Sequence, residues 1–268
     1  MHFAIMVIGN NPDEILAPYD EGIEVTSCIP LREKDKQDFL KYYKEKHPDK
    51  QDKSFEELYE LFGNDWNANS WDKNFKGEWV EISTCNPYGK WDWYVFGGRF
   101  ENLYILKEGT DPEFITKKDI DVEAMQQKAI EFYTPLYDFI TKENLSNKNK
   151  EDYINKNTVY KEEDLKIRRE LFNKYKKQTI VKRFLKWNNE RNTFTYEDLD
   201  LFVKDKEKAL EKMKKRSITP YGYVSKFGWV EKYDKNLFKP EETWEDHFTK
   251  LFESLDDNTV ITIADCHI

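Results

Sequence analysis

The chain has little that would staple, anchor or load it. Its three cysteines, Cys28, Cys85 and Cys266, are an odd number at wide spacing. That argues against a disulfide framework and for a reducing compartment. With only four histidines beside them, a dedicated zinc site is not expected, nor any other metal or cofactor. No apolar run approaches the roughly 20 residues of a membrane helix. The apolar opening Met1 to Gly9 lacks the basic leader of a signal peptide and is short for one. No membrane contact is expected, and the expected location is the cytoplasm. The chain has no G-x-x-x-x-G-K-[ST], no G-x-G-x-x-G and no H-E-x-x-H, no catalytic triad can be read from it, and residues 110 to 216 show no internal repeat.

What is present begins with aromatic residues. Hydrophobic residues make up 38% of the chain and charged ones 35%, a polar balance in which the 16% of aromatics must supply much of the core. The net charge of −9 is unevenly spread. Residues 141 to 216 hold 22 Lys and Arg against 14 Asp and Glu, whereas the remainder holds 21 against 38. An acidic body therefore carries a basic segment. Nucleic-acid contact through that segment is an expectation to weigh. It is not the favoured one, because lysine-rich helices are more often solvated faces.

The pattern predicts an α+β protein. Met1 to Gly9 reads as a buried strand ended by Asn10-Asn11-Pro12, with His2 near its start as a candidate ligand or base. Tyr19 and Asp20 lie in a polar loop. Glu33 to Lys46 reads as a charged helix, and Ser54 with Glu57 caps a short helix to Phe62. Five of the eight tryptophans fall between 66 and 93, so that stretch packs densely or lines an aromatic cleft. Leu103 to Leu106 reads as a short strand. Residues 110 to 216 read as an all-helical insertion. In it Pro135 kinks or divides a helix over 122–140, residues 141 to 160 form a linker or mobile loop, and Leu165 to Phe184 form one long helix. Thr195 with Asp198 caps another, running to about Arg216. Strands return at Tyr221 to Val230, Thr243 with Asp246 caps a helix, and Val260 to Ile268 is a final buried strand. The core domain is thus 1–109 with 217–268, a largely antiparallel sheet formed by both chain ends with helices on a face.

Chemistry concentrates in two places. Residues 86 to 100 read NPYGKWDWYVFGGRF. Asn86-Pro87-Tyr88-Gly89 is a turn, and Lys90 to Phe96 is an aromatic strand. Strand alternation puts Trp91, Trp93 and Val95 on one face and Asp92, Tyr94 and Phe96 on the other. The glycine pair lets another backbone or a ligand approach. Arg99 follows, a guanidinium fork suited to carboxylate or phosphate. The second place is the last strand, where Asp265 and His267 share a face and form the candidate acid–base pair. Cys266 points the other way, so a Cys–His dyad from neighbours is not expected. Trp91, Trp93, Arg99, Asp265 and His267 are expected around one concavity, with Tyr19, Asp20 or Asp92 at its rim.

The stretch resembles the hallmark of a family of uncharacterised tailed-phage proteins, Asn-Pro, Lys-Trp-Asp-Trp-Tyr and Gly-Gly-Arg-Trp. Asn86-Pro87, Lys90 to Tyr94 and Gly97-Gly98-Arg99 match it, and Phe100 stands where the family has Trp. The apolar opening, Pro18-Tyr19-Asp20-Glu21 and the final Asp265-Cys266-His267-Ile268 also resemble that family. The resemblance covers about a third of the chain. It implies phage origin, a host-cell cytoplasm and a common fold, but no activity. Two functions follow as expectations. One is an accessory protein that binds and blocks a host factor in counter-defence. The other is an enzyme or binding protein for a phosphate-bearing small molecule or nucleotide, with His267 and Asp265 catalytic.

Overall fold

The computed structural model describes residues 1–25, 27–63, 70–112, 115–143, 151–189, 191–234 and 242–268, with only the backbone at 27, 70 and 83. The described strands are β1 (His2–Ile8), β2 (Ser27–Pro30), β3 (Ser70–Lys73), β4 (Trp79–Ser83), β5 (Trp93–Phe96), β6 (Gly222–Ser225), β7 (Gly228–Glu231) and β8 (Ile261–His267). The helices are α1 (Pro12–Leu16), α2 (Glu33–Lys46), α3 (Phe55–Phe62), α4 (Val122–Lys142), α5 (Lys156–Tyr160), α6 (Leu165–Lys177), α7 (Thr179–Asn189), α8 (Tyr196–Lys204), α9 (Lys206–Ile218) and α10 (Trp244–Ser254). The protein is α+β, and its main sheet runs β5-β8-β1-β6-β7. All its pairings are antiparallel except β1 with β6.

The two ends of the chain pair in full register at the middle of this sheet, His2 opposite His267 and Ile8 opposite Ile261. Both strands are apolar on both faces because both faces are covered. On one face Phe3, Ile5, Val7, Ala264 and Cys266 pack with Leu16, Trp91 and Trp229. On the other, Met6, Ile261 and Ile263 pack against Trp244, Phe248 and Phe252 of α10 and against Tyr104, Ile120 and Met125. A second sheet, β2-β4-β3, joins α2 and α3 around Phe39, Phe55, Leu58 and Trp71. The density of tryptophan near 71 and 79 is thus a small aromatic core; Trp66 lies outside the described residues.

The helical residues gather round their own core, with Leu136, Val159, Tyr175, Val181, Phe184, Leu199, Phe202 and Ala209 all buried. Two helices belong to both interiors. α4 buries Met125 against the sheet and Leu136, Phe139 and Ile140 in the lobe, and α9 buries Ile218 and Met213 in the same way. The long helices read from the sequence are cut at caps. Gln178 separates α6 from α7, and Asp205 ends α8 and caps α9 by accepting from the Lys208 N–H. At Asp205 a polar side chain that binds free N–H groups competes with helix continuation. Pro135 does not divide α4, which runs unbroken from Val122 to Lys142. Leu103 to Leu106 is not a strand; it offers one bridge, Leu106 to Ile120. The expected linker falls partly on α5 and partly on 144–150, outside the described residues.

Candidate functional site

The sheet register builds a row of three rings. Trp93 on β5, His267 on β8 and His2 on β1 stand opposite one another on the face that α10 covers further along. Directly opposite side chains on paired strands touch. The imidazoles lie 4.9 Å apart between centroids, edge to face, and the Trp93 indole stacks on His267 at 5.3 Å and 16°. Trp93 also meets His2 edge-on at 5.2 Å. The next row on the face is Val95, Asp265 and Ala4. Small Ala4 leaves room for Asp265 to reach diagonally.

That diagonal corrects the sequence reading. Asp265 does not pair with His267. Its Oδ1 lies 2.8 Å from His2 Nδ1, and its Oδ2 accepts the Arg99 backbone N–H at 3.0 Å. His267 takes Asp92 instead, with Nδ1 2.9 Å from Oδ1 and 3.2 Å from Oδ2. An ionised carboxylate only accepts, so each Nδ1 carries the hydrogen and each Nε2 is left for something else. Among the described residues neither Nε2 has a hydrogen-bond partner.

The glycine pair explains how Arg99 reaches the cluster. Gly97 and Gly98 have φ of +70° and +53°, a turn that glycine adopts without strain. Gly98 sits directly on the aspartate, and a Cβ there would lie 2.7 Å from both Asp265 Cβ and Oδ2. The chain is thereby aimed so that Arg99 gives its backbone N–H to Asp265. Its guanidinium is exposed and makes no ion pair among the described residues.

Three expected site residues are elsewhere. A bend at Asp92 breaks the alternation before β5 begins. Trp91 therefore enters the opposite core, its indole N–H donating to Leu16 O. Tyr94 packs on it edge-on at 4.8 Å. Tyr19 packs on Trp229 in the same core. The Asp20 side chain accepts from the Gly22 N–H and closes a turn. These residues still fasten the hallmark: Asn86 donates to Pro18 O and Asp20 O, Lys90 N–H donates to Tyr19 O, and Asp20 bridges Trp91. The Tyr19 carbonyl and the Asp20 carboxylate are taken up by backbone N–H groups, and nothing in the local pattern distinguishes that from a site. Trp93 is 45% exposed, so it is a surface residue rather than a core one. Nor do the five expected residues close round one cavity. Grooves of about 340 to 700 Å³ lie elsewhere, and none of the five described is lined by His2, Trp93 or His267. The ring row is an open platform.

Burial pushes the Asp265 carboxyl up, but the Arg99 N–H and His2 outweigh it, and the group lies below its ordinary value. The His267 hydrogen bond likewise lowers Asp92. Burial pushes the Cys266 thiol up to about 12, so it is inert. A depressed carboxyl contributes stability that is present above its unfolded pKa, about 3.9, and is lost as pH falls through the folded value. Asp265→Asn is expected to flatten the fall in urea stability between pH 6 and pH 3. Parallel curves for the two proteins would mean that Asp265 carries no such linkage. Among the described residues no group of three or more His, Cys, Asp or Glu could hold a metal ion, and no helix is long and apolar enough to cross a membrane.

Compared with protein-family models, curated proteins and solved structures, the chain matches none of them.

Proposed function

We propose that the protein is a tailed-phage accessory protein that binds a phosphate-bearing small molecule or nucleotide at the His2–His267 platform and cleaves its phosphodiester bond. One observation carries the reading: two imidazoles 4.9 Å apart, each with Nδ1 held on its own carboxylate and Nε2 without a hydrogen bond among the described residues. Such a pair supplies one base and one acid. One Nε2 takes a proton from water as the water oxygen bonds to phosphorus. The other, protonated, gives its proton to the departing oxygen as that P–O bond breaks. The exposed Arg99 guanidinium suits the non-bridging phosphate oxygens, and the half-exposed Trp93 offers a base a stacking surface. The acidic body disfavours a long polyanion, so a small ligand fits better. Phage origin and the counter-defence setting rest on the hallmark. They are supported by the way its scattered pieces come together: the opening strand, the central stretch and the final strand pair in one sheet, and Pro18 to Glu21 is bonded to the central stretch.

Bis(4-nitrophenyl) phosphate is the probe. The protein is expected to release nitrophenolate with a bell-shaped pH profile, and His2→Ala and His267→Ala are each expected to lower kcat by about 10²- to 10⁴-fold. Arg99→Ala should chiefly raise KM. A protein that neither turns the probe over nor binds inorganic phosphate would end the reading. The second reading, capture of a host protein, draws on one observation: β5 is an edge strand on which Trp93, Val95 and Phe96 are exposed. Host-protein capture that survives both histidine changes but is lost in Trp93→Lys would favour it.

A further inference from the structure

A second site lies where the sheet meets the helical lobe. α4 presents Met125, Lys128, Ala129, Phe132 and Tyr133 at spacings of three and four, which is one helix face. α9 answers with Met213, Arg216 and Ser217, and the turn after the glycine pair closes the third side with Asn102, Leu103 and Ile105. The two helices pack closely, yet small Ala129 and Ser217 leave a cavity of about 340 Å³ between them. That is within the usual range for a small-molecule pocket. Its walls are apolar, and two of the chain's four methionines are among them. Methionine adapts its shape to what it covers.

Three of the polar groups round this cavity, on Lys128, Arg216 and Tyr133, favour an anion. Lys128 and Arg216 are exposed, and neither makes an ion pair among the described residues. The Tyr133 hydroxyl, on the wall, has no hydrogen bond among the described residues. An apolar pocket with two unpaired cations and one unpartnered donor matches a particular ligand chemistry. From this we infer that the junction binds a small amphipathic anion, an apolar body bearing one carboxylate, sulfonate or phosphate. The body lies between α4 and α9, and the anionic group meets Lys128 and Arg216. The site is independent of the histidine platform.

The probe is 1-anilinonaphthalene-8-sulfonate, with decanoate as competitor and N-phenyl-1-naphthylamine as the analogue without the sulfonate. The folded protein is expected to enhance the fluorescence of the sulfonate at one saturable site, and decanoate should displace it. Lys128→Gln with Arg216→Gln should weaken binding by about tenfold or more while binding of the neutral analogue stays the same. Ala129→Leu should fill the cavity and abolish binding of both dyes, with an unchanged circular dichroism spectrum. Because Lys128 and Arg216 are exposed, the double variant reports on binding even if Ala129→Leu fails to fold. Absence of saturable binding overturns the inference. So does equal affinity for the charged and neutral dyes, or binding unaffected by the double change.

Discussion

Gly98→Ala is expected to cost about 2–4 kcal/mol of stability and to disable the site at a distance from its rings. Part of the cost is conformational, because φ is +53° there and a residue with a Cβ is strained in the left-handed region. The rest is overpacking, since the new methyl would sit 2.7 Å from the Asp265 carboxylate, which is buried, and 2.8 Å from a methyl of the exposed Val95. If Asp265 shifts to make room, it loses the Arg99 N–H and its hold on His2 together. Urea unfolding measures the first effect, and the His2 imidazole resonances measure the second. A variant of wild-type stability with unmoved His2 signals would show that the close approach is not constraining.

Phe202→Ala is expected to cost about 3–5 kcal/mol, the range for deleting a buried phenyl ring. Phe202 is 0% exposed at the centre of the helical lobe and stacks on Tyr133 at 5.7 Å. The measurement also probes how the lobe is joined to the sheet. α4 and α9 each bury residues in both interiors, so a weakened lobe should lower the unfolding midpoint of both. Followed by helical circular dichroism and by tryptophan fluorescence, the variant is expected to give one shared transition. Two separated transitions, with the sheet unmoved, would make residues 110 to 216 an independently folding unit.

The elements were legible where local chemistry decides them. Ser54 with Glu57 and Thr195 with Asp198 form reciprocal capping boxes in the structure, and Glu33 to Lys46 is a helix over that span. The apolar strands at both ends lie side by side in the sheet. Asp265 and His267 do share a face. Their partners were not legible, because a partner across the sheet depends on register between segments far apart in the chain. His2 stood out as a candidate, but nothing near it points to Asp265. Strand alternation carried through Asp92 puts Trp91 on the wrong face, because the backbone bends there. Tyr19 and Asp20 looked functional because polar loop residues often are, whereas their groups tie down the turn that begins the hallmark.

The pairing of β1 with β8 also bears on the order in which the molecule can assemble. His2 and Asp265 are 263 residues apart in sequence, and they meet at the centre of the sheet. A chain emerging from the ribosome makes β1 well before β8 and cannot pair the two until the residues between them have been made. The helices between rely on short-range contacts, which form fast, and the sheet must close the longest loop available. During synthesis β1 therefore waits as an exposed apolar segment, the kind of species that chaperones hold. The histidine platform, built on this last pairing, is expected to be among the last parts of the protein to become functional.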